Sequence, residues 1–366
     1  MSGSALENVI GRTGARFAEV RALAVVTDFG DPLAEYAAAT TAVGLYPVLD
    51  RALIEVAGAD RTSWLHNLVT NDIRRLLTGD GSYTFAVSVK GRILMDFNVL
   101  ARQESFWLDT DRRHAAAALT HFDRYTITED VQVRDLSAAY ARLMLVGPKA
   151  AALADQFHAP HAAAMSELSE LGSTTVMLAG RPVLLFRHDL AGLPGLELCV
   201  PAEVAVEAWL ALMEIGQPVG LRPIGRIAVR TLQIESGIPV WGEEIDGDVL
   251  PAETLQLRRA VSFNKGCFVG YEVIERMRSR HSLPRKLVGL RLARLPAEGS
   301  TPVPLQVAGK TVGRLMSFCH SPAVGSPVGL GYLATTYTGP GMVVAAATDP
   351  PIDAEVVPLP FHSRAC

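Results

Sequence analysis

The sequence predicts an α+β protein that ends in a small antiparallel β-barrel. Helical and strand-like segments follow one another in a similar order twice before residue 220. From residue 287 onward, short β-rich runs are separated by Gly and Pro, and helical periodicity is absent. The chain has 366 residues, of which 49% are hydrophobic and 20% charged. This composition suits two or three globular cores and is untypical of a disordered chain.

The first predicted unit, residues 1–140, mixes helices with an antiparallel sheet. Residues 1–46 predict helices because Ala, Leu, Val and Glu dominate, and Asp31 followed by Pro32 suits a helix start. The periodicity then predicts strands at residues 52–56, 82–87, 93–100 and 106–109, and helices at residues 59–69 and 114–124.

A second unit of the same kind is predicted at residues 141–220, where the order of elements indicates a diverged copy of the first. Strands are expected at residues 141–146, 174–178, 183–187 and 196–200, and helices at residues 149–157 and 202–215. Residues 221–284 are expected to return to the first unit. Residues 285–366 form the predicted barrel.

Charge and cysteine content narrow the functional classes. The net charge is -4, so a nucleic-acid or membrane-surface partner is not expected. The four cysteines are scattered without a CxxC pair, which argues against a disulfide framework or a four-thiolate metal site. No signal-peptide-like segment and no apolar run of about 18 residues is visible. We expect a cytoplasmic protein with reduced thiols.

One short stretch, residues 264–272 (NKGCFVGYE), indicates a reactive or ligand-facing thiol. Cys267 lies between two glycines and beside Lys265. A thiol reacts as its thiolate, which nearby cations such as Lys265 and Arg276 favour. A helix beginning at Tyr271 would place the thiol near a helix N-terminus, where an anion is also favoured. The alternative is that Cys267 is a buried small hydrophobe.

This stretch and others resemble motifs of the YgfZ-like folate-binding proteins, relatives of the glycine-cleavage T protein (aminomethyltransferase). The matching segments are residues 69–72 (VTND), 89–96 (VKGRILMD), 231–239 (TLQIESGIP), 250–253 (LPAE), 264–272 and 285–290 (RKLVGL). The resemblance extends over residues 35–345. It implies the T-protein fold, with two related α+β units around a central cavity and a C-terminal barrel. It also implies that tetrahydrofolate or a derivative binds there.

The resemblance implies a set of folate-binding residues. Asn71, Asp96 and Glu235 are expected to hold the ligand, and Glu197 and Tyr271 belong to the same predicted site. Cys267 is the predicted functional thiol, with Lys265 beside it.

Each of these residues has a structural alternative. Asn71 could cap a helix or turn together with Asp72. Asp96 could be a surface residue of a strand, and Glu235 could be a buried partner of an arginine such as Arg230. Lys90 and Arg92 could be turn cations that face the solvent.

Two functional classes compete, and a scaffold with a degenerate folate site is a third. The first is a folate-binding protein that supports iron–sulfur cluster assembly or repair and serves iron–sulfur client enzymes. The second is a folate-dependent aminomethyl- or methyltransferase. T proteins carry two adjacent aspartates where this chain has Met95 and Asp96, tend to carry a glutamate at the position of Leu193, and lack Cys267. These three differences favour the first class.

The chain also departs from the YgfZ-like pattern at two positions. Tyr271 replaces a glutamine and Gln233 replaces an arginine. Tyr271 loses the paired donor and acceptor of an amide, and Gln233 loses a fixed charge. Both changes could alter the choice of ligand.

Overall fold

The computed structural model describes residues 4–157, 164–280 and 283–362. By its contacts the chain divides into two compact units. The first unit consists of Met1–His66, Asp72–Tyr83 and Phe97–Arg230. The second unit consists of Asn67–Asn71, Thr84–Asp96 and Thr231–Cys366.

The helices and strands are as follows. The helices are α1 Ala5–Arg12, α2 Pro32–Thr41, α3 Arg61–Leu68, α4 Ala115–Arg124, α5 Ala150–Ala154, α6 Ala205–Gly216, α7 Arg226–Ser236, α8 Leu257–Ala260 and α9 Tyr271–Arg280. The strands are β1 Arg16–Val20, β2 Leu23–Asp28, β3 Val43–Pro47, β4 Arg51–Ala57, β5 Gly81–Val87, β6 Ile93–Ala101, β7 Ser105–Asp111, β8 Gln132–Asp135, β9 Tyr140–Val146, β10 Ser173–Leu178, β11 Arg181–Arg187, β12 Gly195–Pro201, β13 Leu221–Pro223, β14 Arg285–Leu292, β15 Val303–Val307, β16 Lys310–Ser321, β17 Ser326–Ala334, β18 Val343–Ala346 and β19 Ile352–Val357.

Two sheets repeat one topology, which confirms the predicted pair of related α+β units. The five-stranded sheet has the order β5-β6-β7-β4-β8, and the six-stranded sheet has the order β10-β11-β12-β9-β3-β13. In the five-stranded sheet, β4 is the first strand of the repeat and pairs antiparallel with the fourth, β7. In the six-stranded sheet, β9 is the first strand and pairs antiparallel with the fourth, β12. A helix follows the first strand and another follows the fourth.

The prediction that residues 1–46 are helical is wrong in part. β1 and β2 form an antiparallel hairpin, and β3 is fully buried in the six-stranded sheet between β9 and β13. The compositional pattern cannot separate a short buried strand from a helix, because both are apolar runs. The predicted start of α2 is confirmed, since the Asp31 side chain accepts a hydrogen bond from the Ala34 amide at 3.0 Å.

One face of the six-stranded sheet builds the apolar core of the first unit. Side chains of a strand alternate between the two faces, and Leu143, Leu145, Leu196 and Leu198 share this face with no more than 3% exposure. α6 covers the core with Trp209, which is fully buried. The opposite face of β9 and β12 is therefore left for the alternate residues of these strands, among them Arg142 and Glu197.

The C-terminal segment closes into the predicted barrel, with the strand order β14-β17-β16-β15-β18-β19. Its interior is aliphatic, with Leu290, Leu305 and Leu315 fully buried. Gly313 permits a close approach of strands, because an added Cβ would lie 2.0 Å from the carbonyl oxygen of Tyr332. This need for small residues explains why Gly interrupts the β-rich runs of the sequence.

No helix in the described part of the chain is both long enough and apolar enough to cross a membrane.

Replacing Leu198 by Ala should lower the free energy of unfolding by about 2–5 kcal/mol, because a core leucine is lost and a cavity remains. Urea unfolding followed by tryptophan fluorescence would measure this. Leu210→Ala is the matched control, since Leu210 is 51% exposed and its truncation should change stability by less than about 0.5 kcal/mol. Equal effects of the two variants would contradict the assigned core.

Candidate functional site

A buried network of charged and amide side chains lies inside the first unit and is called the Asp109 network below. Its members are Arg51, Asn98, Asp109, Arg142, His188 and Glu197. Asp109 and Glu197 are no more than 1% exposed. Charges buried this deeply must be paired.

The internal repeat explains how the network is built. Asp109 of β7 lies opposite Leu53 of β4, and Glu197 of β12 lies opposite Met144 of β9. Two residues before Leu53 is Arg51, and two residues before Met144 is Arg142, so each repeat carries one carboxylate and one arginine at equivalent positions.

The two arginines differ in what they bind. Arg51 forms a two-point bond with Asp109, from Nε to Oδ1 at 3.0 Å and from Nη2 to Oδ2 at 2.7 Å. Arg142 donates from Nη2 to Glu197 Oε1 at 2.5 Å and also lies 3.1 Å from Asp109 Oδ1. Arg142 therefore joins the carboxylate of one repeat to that of the other.

The two arginines favour the ionised form of the Asp109 carboxylate. Burial disfavours the charged form of Asp109, but Arg51 and Arg142 outweigh burial and hold its pKa well below the usual range. Burial also disfavours the charged form of Arg142, but Glu197 and Asp109 raise its pKa above the ordinary value. Two carboxylates face two guanidinium groups, so these four charges balance.

His188 and Asn98 complete the network. His188 Nδ1 lies 2.7 Å from Glu197 Oε2, and its Nε2 lies 3.3 Å from Asn98 Nδ2. Asn98 Nδ2 also donates to Asp109 Oδ2 at 2.7 Å. Within the described residues, Asn98 Oδ1 and the Nε and Nη1 atoms of Arg142 are buried without a hydrogen-bond partner. The network thus retains one acceptor and several donors.

Of the predicted folate-binding residues, Glu197 lies in this network. Its partners Asn98, Asp109, Arg142 and His188 were missed by sequence reasoning. A signal was present, because a charge at an alternating position of an apolar strand, as in ARLML of β9, must face away from the core that its neighbours form.

The second unit brings the other motifs together. Asn71 donates from its backbone amide to Thr84 Oγ1 at 2.9 Å and from its side-chain amide to the Arg259 carbonyl at 2.8 Å. Lys265 Nζ donates to the Val69 carbonyl. These bonds attach residues 69–71 to the segment that carries residues 259–265.

The two glycines of the Cys267 stretch both have positive φ angles. Gly266 has φ +91° and Gly270 has φ +79°. An added Cβ at Gly270 would lie 2.4 Å from the Ser88 carbonyl oxygen. The second glycine therefore lets this stretch pack closely on the turn that begins the VKGRILMD motif.

The Cys267 thiol is free and exposed, so the alternative of a buried hydrophobe is wrong. The helix predicted after it begins at Tyr271 as α9. Lys265 Nζ lies 5.0 Å from the centroid of the Phe268 ring, and the Tyr271 ring meets the same ring edge-on at 5.3 Å. The roles of Cys267, Lys265 and Tyr271 in function stay predictions.

The arginines of α9 are only partly available to a thiol. Arg278 pairs with Glu275 at 2.6 Å and lies 4.4 Å above the Phe263 ring. Arg276 is exposed. The predicted influence of Arg276 on the Cys267 thiol stays a prediction.

The other cysteines have different environments. Cys199 is fully buried in β12, and burial raises the pKa of its thiol to about 12, which keeps it protonated. Cys319 is half-buried, and Cys366 lies outside the described residues. Cys267 is thus the exposed free thiol of the described part of the chain.

Asp96 and Glu235 are both buried. Asp96 lies in β6 inside the five-stranded sheet and is 6% exposed, so the alternative of a surface residue is wrong. Glu235 of α7 is fully buried, and its Oε1 accepts hydrogen bonds from the Ser321 hydroxyl and from the Ala323 amide. These bonds attach α7 to the end of β16, while the ligand-holding roles of Asp96 and Glu235 stay predictions.

The turn cations behave as the structural alternative expected. Lys90 and Arg92 are exposed, and Arg92 pairs with Asp248 at 3.5 Å.

Comparison with known proteins covers nearly the whole chain. Residues 6–265 match the family described as the GCVT N-terminal domain. Residues 285–362 match the family described as the glycine cleavage T-protein C-terminal barrel domain.

Relatives of similar length are named aminomethyltransferase. The one from Rubrobacter xylanophilus is 30% identical over 96% of this chain and 91% of its own length. The one from Streptomyces coelicolor is 31% identical over 92% of this chain and 91% of its own length.

A solved structure shares the fold. The glycine cleavage system aminomethyltransferase T from Bartonella henselae superposes with a TM-score of 0.87 at 22% identity, covering 98% of this chain and 97% of that protein. The predicted T-protein fold is therefore confirmed.

Replacing Asp109 by Leu should destabilise the protein by about 3–5 kcal/mol, because Arg51 and Arg142 lose a buried counter-charge. Glu104→Leu, at an exposed position, is the control and should change stability by less than about 0.5 kcal/mol. Chemical denaturation at pH 7 would measure both.

Removing the charge of Asp109 by the change Asp109→Asn should destabilise the protein less in acid than at neutral pH. The pKa of Asp109 is lower in the folded chain than in the unfolded chain, so its stabilisation is complete above the unfolded value of about 4 and is lost as the pH falls below it. We expect the stability difference between wild type and Asp109→Asn to shrink from pH 5 to pH 2. A difference that grows in acid would contradict the assigned ionisation.

Proposed function

Since this chain belongs to the glycine cleavage T-protein family, we propose that it is a folate-dependent aminomethyl- or methyltransferase. It would bind tetrahydrofolate or a derivative and transfer a one-carbon unit to or from it. The observation that carries the proposal is the match to aminomethyltransferases along nearly the full chain, together with an acidic side chain, Asp96, buried on β6.

The residues of the Asp109 network fit a folate ring. A pterin presents N–H and C=O groups along one edge and needs both acceptors and donors opposite it. Glu197 and Asn98 Oδ1 are acceptors, and Arg142 Nε and Nη1 are donors without a hydrogen-bond partner in the described part of the chain. Bound tetrahydrofolate would supply the nitrogen atoms that carry the one-carbon unit.

Asp96 is the residue suited to move a proton. A carboxylate that is 6% exposed is shielded from water, and a positioned carboxyl group can accept or return a proton during transfer. Its neighbour Met95 is apolar, so the acid–base role in this motif would rest on one carboxylate.

Asp96→Asn should reduce the rate of one-carbon transfer by about 10²–10⁴-fold, the usual contribution of a general acid or base. Tetrahydrofolate affinity should change little, because the amide keeps the size and one acceptor of the carboxylate. Single-turnover assays with tetrahydrofolate and an aminomethyl donor, beside calorimetric titration with tetrahydrofolate, separate the two quantities.

The matched control is Asp353→Asn, at an exposed position of β19, which should leave both quantities unchanged. Wild-type protein that binds neither tetrahydrofolate nor 5-formyltetrahydrofolate would overturn the proposal. Asp96→Asn with an unchanged transfer rate would remove Asp96 from the chemistry.

The exposed thiol favours a second candidate function. In this candidate the protein is YgfZ-like: it binds folate, supports assembly or repair of iron–sulfur clusters in client enzymes, and uses Cys267. The supporting observation is that Cys267 is free and exposed beside a glycine with φ +91°, so a partner can approach the sulfur closely.

Cys267→Ser distinguishes the two candidates. If the thiol serves iron–sulfur enzymes, the variant should fail to restore their activity in a deletion strain while its folate affinity stays at the wild-type level. Cys319→Ser, at a half-buried thiol of β16, is the control and should restore activity fully. Full restoration by Cys267→Ser would reject the iron–sulfur candidate and leave the transferase candidate in place.

A further inference from the structure

We propose that Asn98 and His188 are positioning residues that fix the orientation of the Glu197 carboxylate toward the folate ring. They do so through a chain of hydrogen bonds that starts at Asp109. The inference rests on the proposed function, because it assumes that Glu197 is a folate-holding group. The sequence motifs include neither residue.

The first step fixes the Asn98 amide. Asp109 is held by the two-point bond with Arg51, and its carboxylate can only accept hydrogen bonds. Asn98 must therefore turn its NH2 group, and not its oxygen, toward Asp109 Oδ2, which lies 2.7 Å from Nδ2. The reversed amide would place two acceptors against each other in a buried site.

The second step fixes the tautomer of His188. The Asn98 NH2 group has two hydrogens, and its nitrogen also lies 3.3 Å from His188 Nε2. Nε2 must accept this hydrogen bond, since a proton on Nε2 would face the N–H of Asn98. The ring proton of His188 is consequently on Nδ1.

The third step reaches Glu197. His188 Nδ1 donates to Glu197 Oε2 at 2.7 Å, while Arg142 donates to Oε1 at 2.5 Å. The His188 ring is held flat against Phe186 at 5.8 Å with an interplanar angle of 23°. Each oxygen of Glu197 has one donor, so each keeps a lone pair for a ligand.

In this arrangement Arg142 pairs with the charge of Glu197, and His188 fixes the orientation of the Glu197 carboxylate. Arg142 alone would neutralise Glu197, but one hydrogen bond to one oxygen leaves the carboxylate free to rotate about its terminal bond. A second donor on the other oxygen removes that freedom before the ligand arrives. Such pre-ordering lowers the entropic cost of binding.

The tautomer can be observed directly. Long-range ¹H–¹⁵N correlation spectra of the full chain labelled at histidine should show His188 protonated at Nδ1 at pH 7.5, with the signal assigned by its loss in His188→Asn. In Asn98→Leu, the hydrogen bond from Asn98 to His188 Nε2 is lost, and the Nε2-protonated form should become populated. Wild-type His188 protonated at Nε2 would overturn the chain of hydrogen bonds.

Affinity then tests the positioning role. His188→Leu removes the donor and should weaken tetrahydrofolate binding by about tenfold or more. His188→Asn places an amide N–H near the former Nδ1 and should retain affinity within about threefold. Leu185→Ala is the packing control, since Leu185 of β11 is fully buried in the apolar core and its truncation leaves both donors to Glu197 in place. It should change the unfolding midpoint more than the affinity.

The outcomes separate this inference from the proposed function. If the wild type does not bind tetrahydrofolate, the proposed function fails, and the positioning role fails with it even where the spectra show the Nδ1 tautomer. If the wild type binds and His188→Leu binds equally well, the positioning role is rejected while the folate site stands. Affinity that falls in His188→Leu and returns in His188→Asn supports the inference.

Discussion

The ion pairs of Arg142 are the interaction on which the centre of the first unit depends. This arginine lies on β9, whose Leu143 and Leu145 belong to the apolar core, and it bonds the carboxylates Glu197 and Asp109 from two sheets. Because a buried charge without a partner is very costly, the two sheets can pack here only in the register that brings these groups together. The internal repeat supplies the geometry, since Arg51 and Arg142 occupy equivalent positions in the two copies.

Stability alone gives little reason to keep such a network. Well-packed apolar residues of similar size are often as stabilising as a buried ion pair. What apolar residues cannot supply is a set of oriented donors and acceptors. The Asp109 network holds Glu197 between two donors and leaves atoms of Asn98 and Arg142 uncommitted within the described residues. These uncommitted atoms are what the folate site proposed above would use.

The two candidate functions draw on different parts of the chain. The transferase candidate is supported by the buried Asp96 and by the match to aminomethyltransferases along nearly the full chain. The iron–sulfur candidate is supported by the exposed Cys267. Both use the same folate site, so folate binding does not distinguish them. Met95, Leu193 and Cys267 are the three positions at which the sequence differs from the T-protein pattern that it resembles.

The sequence by itself determined the elements whose signal is local. The start of α2 at Asp31–Pro32, the strands β4 to β7, the start of α9 and the glycine-rich barrel follow from capping, alternation and turn residues. Motif resemblance also predicted the T-protein fold. Residues 16–28 and 43–46 were misassigned as helix, because a short apolar run is compatible with either structure until a neighbouring strand pairs with it.

Only the tertiary structure decided what the polar residues do. Asp109, Arg142 and His188 are far apart in the chain, and no local pattern shows that they meet. Glu235 is an example: its ligand-holding role stays a prediction, and only the structure shows that its carboxylate accepts hydrogen bonds from Ser321 and Ala323. The physical reason is that the partner of a buried charge is selected by the packing of whole sheets, whereas capping and periodicity act over a few residues.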